Sequence, residues 1–99
     1  MRTVVIKGVE YRLAYNLRSL FMYEEMAGKP YSGEKTVDSY LLMYAMLLAN
    51  NESFSMSFDE MIDACDEDFC LFDEFSQVLT DYGKRASAFL NNKKKAEMR

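Results

Sequence analysis

Residues Tyr40 to Ala49 read YLLMYAMLLA, ten apolar or aromatic residues in succession. A membrane span needs about 20 such residues, so this run is too short to cross a bilayer. It is apolar on every side, which marks a central helix covered by its neighbours. That helix is expected to start after Thr36, run over 37–50, and organise the rest of the chain around it.

Upstream, Gly28 to Lys35 is the clearest loop, with Pro30, Ser32 and Gly33. Before it, Leu17, Leu20, Phe21 and Glu24 recur at helical spacing. Asn16 is placed to cap that helix and Gly28 to end it, giving a helix over 17–27. The first fifteen residues alternate instead. With Lys7-Gly8 as a two-residue turn, Ile6 faces Val9, Val4 faces Tyr11 and Arg2 faces Leu13. The pairing puts Val4, Ile6, Val9, Tyr11 and Leu13 on one face and Thr3, Val5, Glu10 and Arg12 on the other. A β-hairpin over 3–15 follows, and its apolar face must lie on helices, because an isolated hairpin is barely stable.

Downstream, Ser57 and Glu60 form a capping box with Met56 and Met61 at the staple positions, opening a short helix over 58–65. Phe58, Met61, Ile62 and Cys65 are expected to point inward. Asp66-Glu67-Asp68 interrupts, and Asp68 can cap a last helix over 69–90. Phe72, Phe75, Leu79, Tyr82, Ala86 and Phe89 step along its expected inner face. Residues 91–99 read as a flexible basic tail. The fold class is therefore α+β and mostly helical: one domain over residues 1–90, with the hairpin packed on a bundle of about four helices. A chain of 99 residues can bury roughly 65% of its extended surface, enough for one core.

Charge is segregated along the chain. Between Thr36 and Gly83 there is no lysine or arginine, yet eleven of the sixteen acids lie there. Net acidity argues against binding nucleic acid through phosphates. Histidine is absent, which removes the commonest general base and most zinc sites. Cys65 and Cys70 lack a partnering thiol or imidazole; no leader peptide is expected before them, so reduced thiols in a cytoplasm are expected. Asp63, Asp66 and Asp68 do not follow calcium-loop spacing, and the four glycines are isolated, so no phosphate-cradling loop exists. No catalytic, cofactor-binding or metal-binding residue is assigned, and the chain is expected not to be an enzyme.

What remains is soft apolar surface: eight methionines and seven phenylalanines. Methionine adapts to irregular partners. Met43, Met46, Phe54, Met56, Phe69 and Phe89 are the candidates for contact with a protein partner or a second copy.

Two stretches carry a resemblance. One is Thr3 to Leu13 running into Leu17 to Pro30; the other is Ser57 to Ala64 leading through an acidic junction into the last helix. In pattern and length they resemble the small tail assembly chaperones of long-tailed bacteriophages and prophages, over most of residues 3–90. That family has no short diagnostic motif, so no single residue's role carries over. The resemblance implies a non-enzymatic protein that coats the long helical tape-measure protein during tail morphogenesis and helps recruit tail-tube subunits. It also implies a longer product made by ribosomal slippage, for which the adenine-rich codons of Asn91 to Lys95 are a candidate site. Two other readings compete: an acidic nucleic-acid mimic that inhibits a DNA-binding protein, and a small helical virion adaptor or connector.

Overall fold

In a computed structural model of the chain, residues 2–97 are described, with side chains described over residues 2–83. The elements are β1 (Arg2–Ile6), β2 (Val9–Leu13), α1 (Leu17–Ala27), α2 (Thr36–Asn50), α3 (Phe58–Glu67) and α4 (Cys70–Glu97). The class is α+β and mostly helical, as the sequence predicts.

The hairpin has the register read from the alternation, with Arg2 opposite Leu13, Val4 opposite Tyr11 and Ile6 opposite Val9. Lys7 and Gly8 turn it with φ of 52° and 79°. Positive φ at both turn positions matches the twist of the flanking strands. Glycine adopts it freely; Lys7 does so under strain. Val4, Ile6, Tyr11 and Leu13 are buried, whereas Val9, at the turn, is exposed.

The predicted caps are present. Asn16 accepts from the Ser19 amide, and Gly28, at φ 72°, donates its N–H to the Glu24 carbonyl. Ser57 and Glu60 form the capping box of α3. Asp68 Oδ1 accepts from the Cys70 amide at 3.0 Å at the start of α4.

Helix faces differ from expectation. In α1 the buried residues are Ser19 and Tyr23, while Leu17 (67%) and Phe21 (59%) stand in solvent. The Ser19 hydroxyl donates to the Ala14 carbonyl or to Asn16 Oδ1, at 2.9 and 2.8 Å. Those partners satisfy a polar group that burial would otherwise penalise, and they allow the Ser19–Tyr23 stripe to turn inward. In α4 the buried stripe is Leu71, Phe75 and Val78, with Phe72 and Leu79 half-buried. Tyr82 is half-exposed but packs against Tyr15, with ring centroids 4.4 Å apart and the rings inclined at 50°. Helix α4 continues to Glu97, beyond the end expected at Leu90. Ala86, Phe89 and the basic run Lys93 to Lys95 lie outside the described side chains.

The C-terminal end of α2 is clamped by polar side chains. Asn51 receives the Arg12 amide on Oδ1 and donates through Nδ2 to the Arg12 carbonyl, both at 2.8 Å, and so pairs with β2 as a neighbouring strand would. Asn50 Nδ2 lies within 3.3 Å of the Ala14 and Met46 carbonyls and the Ser19 hydroxyl, and its Oδ1 accepts from Asn16. Arg2 ties β1 to α4 through Glu74 at 2.9 Å.

Candidate partner-binding cleft

Core packing removes half of the expected contact residues from play. Met43 and Met46 are fully buried and Phe54 nearly so. An isolated α2 would expose an apolar surface all round; here α1, the hairpin and α3 cover the side that holds these methionines. Phe54 sits edge-on to Tyr11 at 5.2 Å and to Tyr44 at 5.6 Å, closing the end of the core. Met56 is half-buried, and its carbonyl accepts from the Tyr44 hydroxyl at 2.7 Å. Among the described members of the set, Phe69 alone is open, at 82% exposure, just past Asp68 at the α3–α4 junction. Phe89 lies outside the described side chains.

Apolar surface does remain where α2 and α3 diverge. A cleft of about 410 Å³ opens between the first turns of α2 and the outward side of α3. From α2 come Thr36, Val37 and Tyr40; from α3 come Phe58, Asp59, Ile62, Cys65 and Asp66. Residues 36 and 40 are four apart, and 58, 62 and 66 step by four, so each helix contributes one face. Val37 is 54% exposed. The expectation that Phe58 and Ile62 point into the core is corrected: both are only half-buried and form cleft wall. Phe72 is likewise half-buried, stacked on the cleft residue Tyr40 at 4.6 Å.

The electrostatics are one-sided. Burial, then the neighbouring Cys65 and Asp66, pushes the Tyr40 phenol up. Burial first, then Asp66 and Asp68, pushes the Cys65 thiol up. Both groups therefore stay neutral at ordinary pH, and the thiol is held in its unreactive protonated form. Charge enters only through Asp59 and Asp66, which are exposed and make no ion pair among the described residues. Sequence reasoning found the residues of this wall but not the gap, because the angle between two helices is set by packing across the whole core.

A second polar spot is structural. Asp38, in the first turn of α2, is buried and lies 3.4 Å from Lys29 Nζ. The buried Tyr23 hydroxyl lies beside it yet meets no partner at hydrogen-bonding geometry. Burial raises that phenol's pKa, and the Asp38 charge adds to the rise. Among the described residues no three His, Cys, Asp or Glu side chains gather as a metal site would require, and no helix is long and apolar enough to cross a membrane. Comparison with protein-family models, curated proteins and solved structures found no match.

Proposed function

We propose that this chain is a non-enzymatic tail assembly chaperone of a long-tailed phage or prophage, acting in the bacterial cytoplasm. It would hold the helical tape-measure protein during tail morphogenesis and help recruit tail-tube subunits. The observation that carries the reading is the α2–α3 cleft: an apolar groove with an acidic rim, left open after a single core has been packed. Grooves of this kind receive the apolar face of an amphipathic helix. Exposed Leu17, Phe21 and Phe69 add apolar surface elsewhere. The lysine- and arginine-free stretch from Thr36 to Gly83 would keep a coated assembly dispersed by mutual repulsion.

Co-expression with the tape-measure protein encoded by the same genome tests this. The expected result is a tape-measure protein that stays in the supernatant and co-purifies with the chain. Precipitation to the same extent with and without the chain contradicts it. The six exposed acids Asp59, Glu60, Asp63, Asp66, Glu67 and Asp68 favour a second reading, the nucleic-acid mimic. That reading predicts instead a basic DNA-binding protein released from DNA by this chain.

A further inference from the structure

The cleft's own pattern names what it would hold. On α3, Asp59, Ile62 and Asp66 line the groove at spacings of three and four residues. Two turns of helix separate the carboxylates, about 10 Å along the axis, with the isoleucine side chain between them. Across from them, Val37 and Tyr40 supply apolar wall without a charge. No lysine or arginine occurs from Thr36 to Gly83, so no cation of α2 or α3 answers these carboxylates.

We propose that the cleft receives a partner helix presenting one aliphatic side chain with a lysine or arginine one turn to either side. This deepens the binding role proposed above and rests on it. The aliphatic group would enter between Val37, Tyr40, Phe58 and Ile62. The two flanking cations would reach Asp59 and Asp66, whose spacing matches positions i and i+7 of a second helix. Tyr40 and Phe58 add ring faces on which a guanidinium can lie. The neutral Cys65 thiol behaves as apolar wall. A helix carrying acids in the flanking positions would meet two like charges and be rejected, so the rim acts as a selectivity filter.

The probe is a fluorescein-labelled, alanine-based helical peptide of about 15 residues with lysine, leucine and lysine at i, i+3 and i+7. A second peptide has glutamate in place of both lysines. Anisotropy titrations use the full chain and its Asp59→Asn/Asp66→Asn variant, with circular dichroism confirming the fold. Asp59→Ser/Asp66→Ser replaces that variant if it fails to fold. The lysine peptide is expected to bind the parent chain and to lose about tenfold in affinity with the variant. It is also expected to weaken as salt rises, and the glutamate peptide to bind the parent chain at least tenfold less tightly.

Equal binding of the two peptides, or an unchanged affinity in the variant, overturns the proposal. So does a parent chain that sediments as an oligomer and becomes monomeric in the variant, since a second copy would then be the occupant. The two readings fail separately. If the variant keeps the tape-measure protein in solution as well as the parent does, the cleft assignment falls and the chaperone reading stands. If the lysine peptide binds as described but the tape-measure protein precipitates regardless, the chaperone reading falls and the cleft chemistry stands.

Discussion

The two ends of α2 meet opposite fates. At the C-terminal end, Ala45, Met46 and Leu47 are sealed, and Asn50 and Asn51 stitch the helix to α1 and β2. At the N-terminal end, Val37 stands half in solvent and Tyr40 forms the wall of an open groove. One helix thus supplies sealed core at one end and the wall of an open cleft at the other. The difference comes from its neighbours: β2 and the start of α1 tie down the C-terminal end through Asn50 and Asn51, whereas at the N-terminal end Thr36, Val37 and Tyr40 face the cleft shared with α3.

Substitutions can break that contrast, the largest effect coming from the sealed end. Leu47→Ala removes a fully buried side chain and should cost about 2–5 kcal/mol, read from the urea midpoint. A loss as small as that of a surface substitution would mean this end is not closed. Asn50→Ala should cost about 1–3 kcal/mol, because it strips partners from the buried Ser19 hydroxyl and the Ala14 carbonyl. Amide exchange in β2 and at the start of α1 should rise with it.

Alkaline pH probes the packed tyrosines. Tyr15, Tyr23, Tyr40 and Tyr44 are all raised, with burial the first cause in each. The unfolded chain releases these protons at lower pH than the folded one. Their contribution is therefore fully present below about pH 10 and is lost as pH rises through the folded values. Urea midpoints at about pH 8 and about pH 11, at constant salt, should show the fall. Equal midpoints would mean the phenols are not held in apolar surroundings. The smallest change in stability belongs to the open end: Val37→Ser should shift the midpoint by no more than about 0.5 kcal/mol while weakening partner binding.

Much of this fold was legible along the chain. A single two-residue turn and a period of two fix the hairpin register, because a one-residue slip of β2 would put Glu10 and Arg12 on the buried face beside Val4 and Ile6 and turn Tyr11 outward. The caps at Asn16, Gly28 and Ser57 depend on neighbours three or four residues away, so they too are local. The faces of α1 were not legible: Leu17 and Phe21 look like core, whereas Ser19 is buried through hydrogen bonds to Ala14 and Asn50 that only the folded chain brings together. Contact residues failed for a related reason. An all-apolar helix has no periodicity to say which side is covered, so Met43 and Met46 could not be told from Val37. Nor does any local signal mark Asp38 as buried.

Hydrogen exchange on the chain alone and after addition of the tape-measure protein proposed as its client is the decisive measurement. New protection is expected at residues 36–40 and 58–66, with the already closed end of α2 unchanged. Protection confined to α1 around Leu17 and Phe21, with 36–40 and 58–66 exchanging as before, would contradict it.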